Sequence, residues 1–206
     1  NLTTSGGAIT IKGATGTGAT SDSAGVYIQN NATVSAGGGN ISIDGKVSTI
    51  SSTNCIRGIR VTNGTISTSG TGTITLAGSV VSTNATCKYA TLLENTSIAS
   101  GSGDITLTAS PQSTNPGGFQ IATTQNSITS TSGNITFTSS ANSVADDFSK
   151  LTTSTTGTIK ISSNAPAYGS AQINGAGPVV LEPLGASFTS AVTFPVTGLS
   201  IASTHS

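Results

Sequence analysis

A five-residue pattern that recurs along the 206-residue chain limits its fold more than any other feature of the sequence. The pattern is a glycine, a turn residue and then an apolar, a polar and an apolar residue, as in Gly-Asn-Ile-Ser-Ile at 39–43. Alternate side chains of a β-strand point to opposite faces, so each copy predicts a short strand with one apolar face. We call these copies the lead strands. Their leading glycines are Gly7, Gly39, Gly72, Gly103, Gly133, Gly157, Gly177 and, more weakly, Gly198.

The spacing of the leading glycines, which is nearly constant from Gly7 to Gly133 and shorter after Gly133, predicts a solenoid. A strand that recurs at a period of about 20 to 50 residues is typical of this architecture, because each repeat covers the apolar face of its neighbour. Two further short elements recur between the lead strands. The second element occurs at 25–28, 58–61, 89–92 and 118–121, and the third occurs at 33–35, 65–67, 97–99 and 127–129.

Three strands per coil predict an all-β fold, a right-handed parallel β-helix (β-solenoid) in which each strand pairs with its copies about 4.8 Å above and below. The alternative is a coil of two strands in half a repeat, as in a calcium-binding β-roll. Such a roll needs a Gly- and Asp-rich turn in every coil. Only residues 101–104 approach that turn, so the sequence favours three strands per coil and no calcium.

Stacking of the coils would place the apolar lead-strand residues in two inward columns. At about 1.5–3 kcal/mol for each buried aliphatic side chain, these columns favour a core that needs no metal. The first column is Ile9, Ile41, Ile74, Ile105, Ile135, Ile159, Val179 and Leu199, and the second is Ile11, Ile43, Leu76, Leu107, Phe137, Ile161, Leu181 and Ile201.

The coils shorten after residue 157, and prolines become more frequent. We interpret this region as the same solenoid with shorter loops, and a terminal cap is the alternative. We therefore expect residues 1–206 to form a single β-solenoid segment of a longer or polymerising protein. The missing initiator Met agrees with a processed chain or an excerpt.

Charge is scarce in this sequence, since 7% of the residues are charged and the formal net charge is zero. Nucleic acids and anionic membranes bind clustered Lys and Arg, so we expect neither as a partner. No apolar run approaches the roughly 20 residues that span a bilayer, which predicts no membrane insertion. The composition gives no sign of a cofactor.

Carboxylates are the groups that β-helical glycosidases and lyases gather for acid and base chemistry. Only Asp146 and Asp147 are close together in sequence, and they fall in an irregular stretch between lead strands. We therefore expect a solvated loop there. His205, the one histidine, lies next to the last residue of the sequence. With no nucleophile elbow, phosphate loop or metal-binding His and Cys spacing, the sequence predicts no catalytic residue, no metal and no enzyme.

The two cysteines, Cys55 and Cys87, lie one repeat apart, and each precedes the next leading glycine, Gly72 or Gly103, by almost the same distance in sequence. They therefore occupy equivalent positions on consecutive coils. Stacked equivalents lie about 4.8 Å apart, within the Cα separation of about 4.4–6.8 Å that a disulfide requires. We predict a disulfide, with a pair of buried thiols as the alternative.

One outward column of the second element carries larger side chains than the others. Large amphipathic side chains on an outer face can make contacts with a neighbour, although a solvated face is the simpler interpretation. The candidate lateral contact face is Tyr27, Arg60, Thr91 and Gln120.

Two repeats, Ser-Ala-Gly-Gly-Gly-Asn-Ile-Ser-Ile-Asp-Gly at 35–45 and Thr-Ser-Gly-Thr-Gly-Thr-Ile-Thr-Leu-Ala-Gly at 68–78, resemble the repeat regions of filamentous-haemagglutinin-like exoproteins. These are very large β-helical proteins of bacterial cell surfaces, secreted by two-partner or autotransporter routes. Residues 175–183 and 188–194 also resemble a segment that recurs in such proteins. The resemblance covers almost the whole chain and implies an extracellular, cell-surface location.

The expected function is mechanical and non-enzymatic. The chain would be a rod segment of a bacterial surface fibre, filament or adhesin stalk, with copies or consecutive segments of itself stacked head to tail as its partner. Cell-surface or extracellular-matrix components are further candidate partners. The alternative is a ligand-binding adhesin domain that recognises a host or carbohydrate surface, and it predicts one face with a non-repeating cluster of aromatic and charged residues.

Overall fold

The computed structural model describes residues 1–16, 23–50, 56–82, 88–111, 117–121, 124–141, 146–188 and 200–203. Within these residues the chain forms 21 β-strands, which are arranged in three sheets of eight, seven and six strands. Neighbouring strands in each sheet are parallel and come from successive coils. The protein is therefore an all-β parallel solenoid with three strands per coil.

Each sheet collects one of the three elements of the coil. The lead sheet is β2 (Ile9–Thr15), β5 (Ile41–Ile50), β8 (Ile74–Ser82), β11 (Ile105–Pro111), β14 (Ile135–Ser139), β17 (Ile159–Ser162) and β20 (Val179–Glu182). The second sheet is β3 (Ala24–Ile28), β6 (Ile56–Thr62), β9 (Lys88–Glu94), β12 (Gly117–Gln120), β15 (Asp146–Asp147) and β18 (Pro166–Ala167). The third sheet is β1 (Leu2–Thr3), β4 (Thr33–Ser35), β7 (Thr65–Ser67), β10 (Ser97–Ser100), β13 (Asn126–Ser130), β16 (Leu151–Thr155), β19 (Gln172–Gly175) and β21 (Ser200–Ser203).

The register of the lead sheet confirms the predicted stack from its first strand to β20. Ile9 is the register partner of Ile41, which in turn pairs with Ile74, and the same column continues to Val179. Adjacent strands are thus a whole repeat apart in sequence, which excludes the coil of two strands. The shorter coils after residue 157 continue the solenoid, because β17 and β20 stay in register with β14.

One predicted lead strand is wrong. Residues 200–203 form β21 in the third sheet, where Ile201 pairs with Ile173. Ile201 therefore does not extend the lead-sheet column, and Gly198 does not begin a lead strand. The physical reason is order along the coil, since in the earlier coils a third-sheet strand follows each lead strand before the next lead strand begins, and β21 is the third-sheet strand that follows β20. Leu199 lies outside the described residues.

The main core consists of stacked columns of apolar side chains enclosed by the three sheets, and its largest side chains are aromatic. Phe119, Phe137 and Phe148 are fully buried, with ring centroids 5.5–5.8 Å apart. Tyr168 stacks on Phe148 at 5.9 Å. Aromatic pairs at these separations add to the stabilisation that burial alone provides. The aromatic cluster fills the interior where the coils become shorter.

The lead strands cross the strands of the second sheet at points where two backbones touch. A Cβ atom built on Gly45 would lie 2.2 Å from the carbonyl oxygen of Gly58, and one built on Gly58 would lie 2.7 Å from the carbonyl oxygen of Gly45. Both separations are too short for a real Cβ contact. The same close approach joins Gly13 to Gly25 and Gly78 to Ala90, and the positions equivalent to these in register on the next coil are Ala109 and Gly118. At each of these crossings at least one residue is glycine.

The longer lead strands continue past the crossing as arms outside the main core. Val47 on the arm of β5 and Val80 on the arm of β8 pack against Ile56, and the three form a second, separate apolar cluster. By contrast β14, β17 and β20 have five, four and four residues and do not extend past the crossing position. The coils that begin with β14 and β17 are shorter than those before them, because Ile159 follows Ile135, and Val179 follows Ile159, after fewer residues.

The crossing predicts non-additive mutations. We expect Gly45→Ala alone to destabilise the fold, because its Cβ would lie 2.2 Å from the Gly58 carbonyl oxygen and one of the two backbones would have to shift. Gly45→Ala together with Gly58→Ala would leave two Cβ atoms facing two backbones. The double mutant should lose about 1–3 kcal/mol more than the sum of the single mutants. Urea unfolding of the four proteins of the cycle measures this coupling, and strict additivity would contradict the crossing geometry.

Candidate functional site

Asp146 is the most unusual residue of the interior. It was expected in a solvated loop, and that expectation is wrong, because Asp146 lies on β15 with none of its surface exposed. Its position in the second sheet continues the inward column of Val26, Ile59 and Phe119. The strand alternation therefore turns the carboxylate into the core and leaves Asp147, which is half-buried, facing outward.

Four donors surround the Asp146 carboxylate. Its Oδ1 accepts hydrogen bonds from the backbone N–H groups of Gly118 at 2.8 Å and Phe119 at 2.7 Å, and from the Ser139 hydroxyl at 2.9 Å. Its Oδ2 accepts one from the Ser163 hydroxyl. The two backbone donors lie on β12, one coil before Asp146, whereas Ser139 ends β14 on the same coil and Ser163 follows β17 on the next coil. A buried carboxylate that accepts several hydrogen bonds is stabilised in this way against loss of hydration.

The two serines are themselves held in place by backbone donors. Ser139 Oγ accepts a hydrogen bond from Ala141 N at 3.3 Å, and Ser163 Oγ accepts one from Ala165 N at 3.4 Å. Each hydroxyl is thus oriented to donate toward Asp146, and both serines are fully buried. Asp146, Ser139 and Ser163 thus form a fully buried polar cluster. The arrangement links three consecutive coils, and we call Asp146 with its four donors the carboxylate clasp.

Burial raises the pKa of the Asp146 carboxyl above its ordinary value, because the interior solvates the charged form less well than water does. The hydrogen bonds from Ser163, Phe119, Ser139 and Gly118 favour the charged form and oppose the shift without cancelling it. Burial also raises the pKa of the Tyr168 phenol, and the charge of Asp146 adds to that effect.

The sequence contains a signal for Asp146 that spacing alone did not reveal. Phe148 stacks in register after Ile121, and Tyr168 follows it, so the pattern of an inward, an outward and an inward residue applies to 146–148. Alignment of Phe148 with Ile121 would have placed Asp146 opposite Phe119. The two adjacent aspartates hid this alternation, because charged residues are rarely buried and an inward-facing aspartate is therefore not expected in a strand.

The residues of the predicted lateral contact face do not all lie in one column. Tyr27 pairs in register with Arg60, whose guanidinium carbon lies 4.7 Å from the centroid of the Tyr27 ring. Arg60 also forms an ion pair with Glu94 at 3.6 Å. The register partner of both Arg60 and Gln120 is Leu92, so Thr91 does not belong to this column. We call Tyr27, Arg60 and Glu94 the charged outer cluster.

Thr91 instead points inward and is fully buried, as the register partner of Ile59 and Phe119. The error arose from aligning residues 89–92 one position too early. Ala90, and not Tyr89, occupies the position of Gly58, because the crossing with Gly78 requires a small residue there. The hydroxyl of Thr91 has no hydrogen-bond partner in the described part of the chain.

Several predicted features lie outside the described residues. Cys55, Cys87 and His205 are among them, so the disulfide stays a prediction. The residues that follow the two cysteines, Ile56 and Lys88, are register partners in the second sheet. Among the residues that are described, no three His, Cys, Asp or Glu side chains gather as metal ligands would, and no helix is long and apolar enough to cross a membrane.

Comparison with known proteins leaves the fold as the defining feature. No protein-family model matches the sequence, and no curated protein and no solved structure is significantly similar to it. The class that the structure defines is a parallel β-solenoid with three strands per coil and one buried carboxylate clasp. The likeness to filamentous-haemagglutinin-like exoproteins stays a resemblance of sequence pattern.

The clasp predicts different outcomes for two substitutions of Asp146. Asp146→Ala would leave four buried donors without an acceptor, and we expect a loss of about 3–5 kcal/mol in the free energy of unfolding. Asp146→Asn keeps an acceptor for both backbone N–H groups and should cost less than about 1.5 kcal/mol. Asp147→Ala, next along the strand and half-buried, is the control. Equal losses for the two Asp146 variants in urea unfolding would show that the donors do not depend on the carboxylate.

The raised pKa predicts a pH dependence of defined sign. The folded chain holds the Asp146 proton at pH values where the unfolded chain has lost it. The stabilisation from this group is therefore complete below the unfolded pKa of about 3.9 and is lost as the pH rises through the folded value. We expect Asp146→Asn, relative to the natural chain, to be more stable near neutral pH than in acid. Urea midpoints of both proteins across this range measure it, and a constant or opposite difference contradicts the shift.

The cysteine pair can be tested directly. We expect tryptic peptides of the unreduced protein to contain a Cys55–Cys87 cross-link in mass spectrometry. Reduction should lower the free energy of unfolding, because a closed loop of this length contributes about 3–4 kcal/mol through the unfolded state. Cys55→Ala and Cys87→Ala should each have the stability of the reduced protein. Two thiols that both react with maleimide under native, non-reducing conditions would exclude the bridge.

Proposed function

We propose that the chain is a non-enzymatic structural β-solenoid, a rod segment of an extracellular bacterial surface fibre, filament or adhesin stalk. The observation that carries this proposal is the unbroken register of the lead sheet, from Ile9 to Val179. A stack of parallel strands that repeats along one axis resists bending and extension through many backbone hydrogen bonds at once. The proposed winding is right-handed, the hand that crossover connections between parallel strands almost always take.

The outer face of the third sheet supports a mechanical role. Two outward columns run along it from β4 to β19, and in that range they hold no charged side chain. The first column is Thr33, Thr65, Ser97, Ser127, Thr152 and Gln172, and the second is Ser35, Ser67, Ala99, Thr129, Ser154 and Asn174. Catalytic faces usually gather dissimilar side chains, whereas a repetitive surface agrees with a spacer.

Head-to-tail stacking follows from the first and last strands of the lead sheet. Among the strands that the structure describes, β2 and β20 each have one neighbour in this sheet, so each has backbone groups directed along the solenoid axis. Ile11, Val179 and Leu181 are only partly buried, unlike their column partners in the middle of the stack. A further coil, from the same chain or from a second copy, would cover these side chains and pair the edge. The proposed partner is therefore this protein itself.

An extracellular, cell-surface location is proposed from the resemblance to secreted exoproteins together with the composition. The low charge and the many Ser, Thr and Asn residues suit a protein that is hydrated over a long surface and contacts no nucleic acid. Cell-surface or extracellular-matrix components are the proposed contacts of the finished fibre.

Electron microscopy and light scattering test the rod. We expect the purified chain to form unbranched filaments of constant width whose mean length grows with protein concentration. Ile11→Asp, at the partly buried end of the stack, should shorten or abolish them, because it would bury a charge in the joint. Thr106→Asp, on the outer face of the lead sheet, is the control and should leave them intact. A strictly monomeric chain with protected backbone amides in both terminal coils would overturn the stacking.

The second candidate function is a ligand-binding adhesin domain. The observation that favours it is the charged outer cluster, in which Tyr27, Arg60 and Glu94 form a non-repeating set of one aromatic, one cation and one anion. Tyr and Arg are the side chains most enriched at interface hot spots. Tyr27 is 40% exposed and is thus available to a partner.

A further inference from the structure

A polar groove of about 330 Å³ runs along the corner where the second sheet turns into the third. Its wall is a column of asparagines one coil apart, Asn31, Asn63 and Asn95, and its floor is a column of hydroxyls from Thr65, Ser97 and Ser127. No charged side chain is among the described residues that line it. The groove follows the solenoid axis, so its chemistry repeats once per coil.

The asparagines are held rigidly because they turn the corner themselves. Asn31, Asn63 and Asn95 have φ values of 58°, 52° and 48°, in the left-handed region that asparagine tolerates better than most residues. The Nδ2 group of Asn95 donates a hydrogen bond of 2.7 Å to Oδ1 of Asn63. The amide planes are therefore ordered before any ligand arrives, which lowers the entropic cost of binding.

The groove retains hydrogen-bonding capacity that the fold does not use. Within the described residues, the Asn63 amide nitrogen, the Asn95 amide oxygen and the Thr65, Ser97 and Ser127 hydroxyls have no protein partner. The asparagines at the corner before the lead sheet differ, because Asn40 Oδ1 accepts from Thr73 N and Asn134 Oδ1 accepts from Thr158 N, both at 2.9 Å. The corner before the lead sheet uses its amide oxygens to accept from backbone N–H groups of the next coil, whereas the groove pairs its amides with each other and keeps the remaining donors and acceptors available to solvent.

From this arrangement we propose that the groove binds a linear, neutral glycan that lies along the solenoid axis. Fixed amides and hydroxyls that alternate as donors and acceptors match the vicinal hydroxyls of a sugar, each of which both donates and accepts. The volume is at the lower end of the range of about 300–1,000 Å³ for small-ligand sites, enough for a short stretch of a chain. The repeat allows successive sugar units to meet equivalent side chains, so weak contacts add along the groove.

The absence of charge in the described lining sets the ligand class. The nearest cation of the charged outer cluster, Arg60, is already paired with Glu94. A carboxylate or sulfate group in the groove would lose hydration without gaining an ion pair, which costs free energy. Acidic polysaccharides are therefore disfavoured relative to neutral ones. The inference goes beyond the rod proposed above and does not depend on it, since a chain of any length carries the groove.

The test uses the full chain and defined oligosaccharides. The neutral probes are hexasaccharides of β-1,4-linked glucose, mannose and N-acetylglucosamine, and the anionic probe is a hexagalacturonate. Binding is followed by backbone amide chemical shifts and by calorimetry. The variant is Asn63→Gly with Asn95→Gly, because glycine keeps the positive φ and removes only the amides. Asn134→Gly, which removes an exposed asparagine from the other corner, is the matched control.

We expect at least one neutral hexasaccharide to bind, with shifts confined to Gly64, Thr96 and their neighbours in the groove. The double variant should weaken that binding at least tenfold, and the control should change it less than twofold. The proposal is overturned if no neutral probe binds, if hexagalacturonate binds as tightly, or if the double variant binds like the natural chain. None of these results would affect filament formation, which tests the rod separately.

Discussion

Every level of this structure depends on one interaction, the hydrogen bonding of each strand to its own counterpart one coil away. Because the pairing is parallel and in register, a residue type chosen at one position of the coil is presented again about 4.8 Å along the axis. An isoleucine becomes part of an apolar column, and an asparagine becomes part of an amide ladder. The core, the crossings and the polar groove are all columns of this kind.

The features that could be predicted from the sequence are those that recur at the same position in every coil. The lead strands, their parallel register and three strands per coil follow from alternation and period, because many copies carry the same signal. Asp146 and Thr91 could not be placed in this way, since each is a polar residue at an inward position and contradicts the alternation of its own strand. Their positions depend on particular neighbours, namely four donors for Asp146 and the small residue required beside Gly78 for Thr91.

The charged outer cluster and the groove illustrate a further limit. Tyr27 and Arg60 were recognisable as large outward side chains, but the pairing of Arg60 with Glu94 joins neighbouring coils and is set by register rather than by sequence distance. The asparagine column gave no signal in the hydrophobic pattern, because turn residues lie outside it. A search for identical residues at equal spacing in the turns would have found Asn31, Asn63 and Asn95, which recur exactly one repeat apart.

Because the arms lie beyond the crossings and outside the main core, a coil can be longer or shorter without any change in its core residues. Val47, Val80 and Ile56 form a cluster that shares no member with the main core, and the coils of β14 and β17 lack the arm while their lead strands keep both inward columns. An arm is therefore a modular appendage, joined to the solenoid at a single glycine crossing. Evolution or a designer could lengthen, exchange or delete such appendages coil by coil, and vary the outline of the solenoid without changing its core.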